Sequence, residues 1–285
     1  MKTNKKQLVI QSVQGRVHHP TMRGAGYRVG FDGWGRIPMA TGGITYNYAI
    51  GDCCMGIAGD HIEPGVSLKN ADASENDAMN AFACVGNTAK VLTGDAKGEL
   101  GFVTGKHGGI DHVMIYFPSE TLEKMAVDDK VLIKAHGQGM KLLDYEEVMV
   151  MNTDPELFDK LGIEEKDGKL IVPVTHIIPA YLMGSGLGSA TLMSGDYDIT
   201  TQDKEAVKEL GLDTLRFGDL VYIQDNDGHN GAHYLKGSGS VGVIVHSDSF
   251  TSGHGPGVCV MLTCKKDTLK PKICKDANIA NYLLK

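Results

Sequence analysis

The side chains best suited to chemistry sit on glycine-rich loops. Six such segments carry polar residues: Gly42-Gly-Ile-Thr-Tyr-Asn, Gly59-Asp-His-Ile-Glu-Pro-Gly, Gly105-Lys-His-Gly-Gly, Gly184-Ser-Gly-Leu-Gly, Asp225-Asn-Asp-Gly-His, and His246 through Gly253-His-Gly-Pro-Gly. Glycine admits positive φ and close backbone approach, so a loop rich in it can aim amides and side chains at a ligand. Asp60, His61 and Glu63 offer oxygen and imidazole ligands within four residues. In a strand His61 and Glu63 would share one face, with Asp60 orienting from behind. The alternative is a turn in which Asp60 caps backbone amides.

His246 follows the apolar run Val241–Val245 directly, and His254 lies in a short turn beyond it. Two imidazoles at a strand end suit metal ligation or acid/base work, because histidine titrates near neutrality. Asp225, Asp227, His229 and His233 follow another strand, either as ligands or as an exposed hairpin tip. They do not make an EF-hand, since the position that needs glutamate is Lys236. Gly184–Gly188 lacks the dinucleotide spacing but could form a nest of amides for an anion. Asp196, Asp198 and Asp203 crowd after it, as carboxylate ligands or as a solvated turn and helix cap.

These residues define the expected site. His61, His246 and Asp225 are expected to bind metal; His254, Asp60 and Glu63 to serve catalysis; Ser185, Gly186, Gly188 and Asp196 to hold the ligand. Gly-x-Ser-x-Gly, H-E-x-x-H and P-loop motifs are absent, and no cysteine lies in a local catalytic signature. A divalent ion, zinc or manganese, would supply the nucleophile that those motifs do not. The expected function is metal-dependent hydrolysis of a small amide-like or polar metabolite. The alternative is a non-catalytic small-ligand or anion-binding sensor.

The elements that must position these residues read mostly as strand. Short β-like runs recur, among them Gln7-Leu-Val-Ile-Gln, His112-Val-Met-Ile-Tyr-Phe, Asp219-Leu-Val-Tyr-Ile and Gly257-Val-Cys-Val-Met-Leu. Helical signals are brief: 70–83, 119–125, 153–161 and 201–210. The pattern predicts a mainly β, β-rich α+β fold in two parts. Residues 90–143 would form an SH3-like five-stranded barrel, and residues 1–89 with 144–285 the main β domain carrying the site.

The 285 residues carry 37 glycines, about twice the average usage, which the turns of such a fold require. A net charge of -7 opposes attraction to nucleic acid or anionic lipid, so the expected partner is a small molecule, with a homo-oligomer possible. Six cysteines without C-x-x-C spacing indicate buried thiols rather than a zinc ribbon or a disulfide framework. No window approaches the ~18 apolar residues of a membrane span, and the start lacks an apolar signal stretch, so the cytoplasm is the expected location.

Together, Gly42-Gly-Ile-Thr-Tyr-Asn, Gly59-Asp-His-Ile-Glu-Pro-Gly-Val-Ser, Gly184-Ser-Gly-Leu-Gly, Arg216-Phe-Gly-Asp-Leu-Val and His246-Ser-Asp with Gly253-His-Gly-Pro-Gly resemble the bacterial and archaeal family catalogued as domain of unknown function 4438. The resemblance runs over nearly the whole chain. It implies a two-part, mainly β structure with an SH3-like subdomain and no assigned activity. A fainter resemblance, to acetamidase/formamidase hydrolases, rests on Gly-Asp near a histidine, but the Gly-Asp-Gly-Glu run of those enzymes is missing.

Overall fold

A computed structural model describes residues 1–22, 26–38, 40–184 and 191–284. Ser185, Gly186 and Gly188, three of the expected ligand-binding residues, lie outside the described residues.

The fold is mainly β and two-part. Its first unit is a closed antiparallel barrel of six strands: β1 (Gln11–Val17), β2 (Gly65–Lys69), β3 (Thr88–Val91), β4 (Leu100–His107), β5 (His112–Tyr116) and β6 (Lys130–Ala135). The order β1-β6-β3-β4-β5-β2 returns to β1 through pairing of Arg16 with Lys69, so this ring has no free edge. Alternate residues point inward, and Val17, Leu68, Val91, Val103, Ile115 and Ile133 fill the interior. Each aliphatic side chain so buried is worth about 1.5–3 kcal/mol. The barrel is therefore wider than the five strands expected within residues 90–143, because β1 and β2 come from outside that stretch.

The start of the chain also differs from expectation. Leu8, Val9 and Ile10 form no strand, and Val9 and Ile10 are exposed, because the barrel register instead takes Val13, Gly15 and Val17. Gly15 is needed there, since a Cβ would run into Leu68 and into Met79 on helix α1 (Ala73–Phe82), which packs beside β1. The Asp72 carboxylate caps α1 by accepting from the Glu75 amide at 2.9 Å. The other three expected helices form over 119–122, 155–160 and 204–209, shorter than read; Asp154 and Asp203 cap the last two. A further short helix, Ile279–Leu283, has no counterpart in the sequence reading.

The second unit is a sheet of β7 (Val148–Val150), β8 (His176–Ile178), β9 (Tyr197–Asp198), β10 (Leu220–Asp227), β11 (His233–Ile244) and β12 (Gly257–Cys264). Its order is β7-β12-β11-β10-β8, with β9 paired to the start of β12. All eight residues of β12 are buried because both faces are covered, which is why it reads as an uninterrupted apolar run. Cys259 and Met261 join the core that includes Met114 of the barrel, while Val258 packs with Phe217 and Ile178. Barrel and sheet touch closely where Gly105 of β4 faces Val245, whose side chain occupies the place a Cβ would take. A smaller sheet of 164–166, 169–174 and 269–273 completes the second unit. No helix among the described residues is long and apolar enough to cross a membrane.

Candidate metal centre

The seam between barrel and sheet gathers six ligand-type side chains. From the barrel side come His61, on the loop leading into β2, and His107, the last residue of β4. From the sheet side come Asp196 and Asp198 at β9, His246 two residues past β11, and His254 on the turn before β12. Three overlapping groups each bring one ligand atom per residue within 4.8 Å of one another: His61, His107 and His246; His61, Asp198 and His254; Asp196, Asp198 and His246.

Local backbone chemistry explains the aim of each. His61 adopts φ 53°, a left-handed conformation uncommon outside glycine, so residues 60–63 turn and do not run as a strand. His61 and Glu63 consequently serve different partners instead of sharing a face. In β4 the register shifts between Val103 and Gly105, a bulge that re-aims Lys106 and His107. Lys106 goes into the protein, where its buried amine donates to Asn152 Oδ1 at 2.7 Å and to the Met193 carbonyl at 2.6 Å.

Each of three imidazoles has its Nδ1 against an oxygen. His61 Nδ1 lies 3.2 Å from Asp60 Oδ1, His107 Nδ1 2.5 Å from Glu63 Oε1, and His246 Nδ1 2.9 Å from the Ser247 carbonyl. This leaves Nε2 as the nitrogen for a ligand, the arrangement that metal-bound histidines use. The rings crowd accordingly: His107 and His246 centroids are 4.2 Å apart, His61 and His246 4.9 Å. Asp60 is itself fixed by the Ser249 hydroxyl, which donates to it at 2.5 Å.

Glu63 stands behind the centre. Its carboxylate takes His107 Nδ1, His112 Nδ1 and the Ser67 hydroxyl, all buried, and His112 passes its other nitrogen to His18 Nδ1 at 2.9 Å. Burial opposes its ionisation, yet His112 and His107 hold its pKa well below the usual carboxylate range. Glu63 thus orients a candidate ligand from behind the centre.

Inside the seam, carboxylates held ionised stand against imidazoles. Burial again opposes ionisation of Asp198, but His246, His254 and His61 depress its pKa strongly. Burial likewise opposes a charged His246, and Asp196 and Asp198 more than offset it, raising that pKa well above the ordinary value. His107 is pushed down by burial and by His246, so its imidazole stays neutral and able to ligate.

Two observations test the fit of a metal. His246 Nε2 and Asp196 Oδ2 approach to 2.8 Å as a buried ion pair without good hydrogen-bond geometry, so two ligand-type atoms converge on one point rather than aim along a shared hydrogen bond. Gly257 faces them, and a Cβ there would lie against both atoms, so the glycine leaves space where these two ligand atoms converge. Imidazoles with carboxylates suit zinc or manganese.

The expected residues are thus partly assembled. His61, His246, His254 and Asp196 meet, with Asp60 behind His61. Asp225 does not join them: it is the one β10 residue opposite the extra residues 235–238 of β11 where the register shifts, at φ 52°, and its carboxylate accepts from the Gly237 amide at 2.7 Å across the hairpin. His107 and His112 were the missed residues. They face each other as a register pair across the β4–β5 turn, and that pair of histidines flanking Gly108-Gly109-Ile110-Asp111 is the sequence signal that could have found them.

The N-terminal half of the family described as domain of unknown function 4438 matches residues 27–159, and its C-terminal half matches residues 160–283. The chain belongs to this family. The DUF4438 fold is also similar to the crystal structure of TM1086, with 48% sequence identity, a TM-score of 0.94, and 99% of each chain covered. Among curated proteins no match is found. The DUF4438 N-terminal match contains His61 and His107, and the C-terminal match Asp196, Asp198, His246 and His254, so the candidate centre takes ligands from both halves.

Proposed function

We propose that this DUF4438 protein is a divalent-metal-dependent hydrolase of a small amide-like or other polar metabolite. The observation that carries the reading is the convergence of three Nδ1-anchored imidazoles with Asp196 and Asp198, including the close buried pair His246 Nε2 and Asp196 Oδ2. When bound, a divalent ion supplies Lewis acidity toward a carbonyl and lowers the pKa of a coordinated water.

The chain's own residues would divide the rest. His61, His107, His246, Asp196 and Asp198 would hold the ion, with Asp60 and Glu63 fixing the rings of His61 and His107. His254 is the most exposed member, at 31% of its side chain, and its Nδ1 lies 2.9 Å from Asp198 Oδ2. It is placed to carry a proton between substrate and solvent while Asp198 orients it. The closed barrel and the covered face of β12 keep water from the far side of the centre.

Elemental analysis of the purified protein tests this first, followed by hydrolysis assays on a panel of small amides with and without chelator. The expected result is about one divalent ion per chain and turnover lost on chelation. A protein that holds no ion as purified and retains none after soaking overturns the reading.

A further inference from the structure

Beside the centre lies a cavity of about 370 Å³, lined by Phe31, Arg36, Ile37, Ile57, Lys204 and Phe250 among others. Its size is within the range of small-molecule pockets. The wall nearest the centre includes Gly59 and Ser249. Gly59 directly precedes Asp60, and Ser249 donates to the Asp60 carboxylate that backs His61. The opposite wall is the hairpin 28–36, tied down by the Phe31 amide donating to the Phe250 carbonyl at 2.9 Å.

The lining combines apolar surface with two cations, each paired with one acid, Arg36 with Asp32 and Lys204 with Asp248 of the same lining, and each keeping N–H donors beyond that pair. Arg36 Cζ lies 5.4 Å from the Phe250 ring centre, and Lys204 Nζ lies 5.9 Å from that of Phe31. Asp32 takes Arg36 through both oxygens, and Asp248 Oδ1 accepts from the Ser249 amide and the Thr201 hydroxyl. Arg36 Nη1 also donates to the Trp34 carbonyl, which leaves its Nε and one Nη2 proton without a partner among the described residues. Lys204 forms an ion pair with Asp248 Oδ2 at 3.7 Å, too long for a hydrogen bond, and its ammonium has no hydrogen-bond partner among the described residues.

We infer that this cavity binds a small organic acid, its apolar body between Phe31, Ile37, Ile57 and Phe250 and its carboxylate on Lys204 and Arg36. Phenyl rings and isoleucines recognise the body by burial; the two cations recognise the charge and discriminate against a neutral isostere. As the substrate side of the proposed hydrolytic centre the cavity rests on that reading, but as a binding site it stands without the ion. The substrate class that follows is an amide or related compound bearing a free carboxylate.

Calorimetric titration of the whole protein with benzoate and with benzamide tests it, with emission of Trp34, the chain's single tryptophan, as a second readout. Benzoate is expected to bind saturably and about tenfold more tightly than benzamide. Lys204→Gln is expected to erase that preference and Lys204→Arg to keep it. The same preference is expected after chelation, so a missing ion sinks the hydrolase reading and leaves this one standing. Absence of saturable benzoate binding, equal affinity for benzamide, or an unchanged preference in Lys204→Gln overturns the inference.

Discussion

His246 Nε2 and Asp196 Oδ2 lie 2.8 Å apart, wholly buried, as an ion pair without good hydrogen-bond geometry. Burying two such groups is only partly offset by their mutual attraction. A shared cation would engage both. His246→Ala is therefore expected to lose the bound ion while the protein still folds, measured as metal content by elemental analysis alongside circular dichroism. Full metal occupancy in this variant would remove His246 from the ligand set.

Gly257 gives a second route to the same space. A methyl group at 257 would lie against Asp196 Oδ2, His246 Nε2 and His246 Cδ2. Gly257→Ala is expected to abolish metal uptake without removing any ligand, read by titration with cobalt(II) and its visible absorption. Normal cobalt spectra in this variant would place the ion elsewhere.

Glu63 touches no predicted ligand atom directly, but it fixes His107. Glu63→Gln keeps the shape and removes the charge that two histidines rely on. Metal affinity is expected to fall about 10–100-fold, as when the oxygen partner of a ligating histidine is changed elsewhere. Competition against a chelator of known affinity measures it, and an unchanged constant would show that His107 needs no such support.

The metal-free protein should respond to alkali in a particular sense. Despite burial, Asp196 and Asp198 raise the His246 pKa, and Asp198 with Asp60 raises that of His61. A raised pKa contributes stability that is complete below the unfolded value near ~6.5 and is lost as pH climbs through the folded value. Asp198 and Glu63 are depressed, so their contribution is present above ~4 and fades as pH falls. The Tm of chelated protein is expected to drop from about pH 7 to about pH 9, while metal-loaded protein holds steady because the ion replaces the proton. Parallel melting curves with and without metal would contradict this.

Gly65 starts β2 just past the Asp60–Glu63 turn, at φ 72°, and a Cβ there would strike the Ile115 carbonyl on β5. Gly65→Ala combines left-handed strain with a backbone clash. It is expected to cost about 2–4 kcal/mol, measured by urea unfolding. A loss within about 0.5 kcal/mol would mean that the barrel relaxes freely at this corner.

The sequence made the strand content and the glycine loops legible, because alternation along β6 and continuous burial along β12 leave direct patterns. It misassigned the barrel's extent, since nothing local tells that Gln11–Val17 and Gly65–Lys69 pair with each other and with strands such as Lys130–Ala135 and His112–Tyr116 far along the chain to close a ring. At the site, His61, His246 and His254 stood out because they lie on unusual glycine turns. Asp225 stood out for the same reason and is a bulge residue instead: glycine-rich turn chemistry serves hairpins and ligands alike. His107 and His112 were hidden because their role depends on pairing across a turn and on Glu63, which is 44 residues from His107.

His61 and His254 meet across 193 residues of chain. No short segment therefore gathers all of the candidate ligands. Barrel and sheet must dock on their own apolar surfaces first, and only then does the binding constellation exist. On the proposed reading, metal acquisition would be the last step of maturation, drawing on the ions available to finished protein and passing by the side where His254 meets solvent.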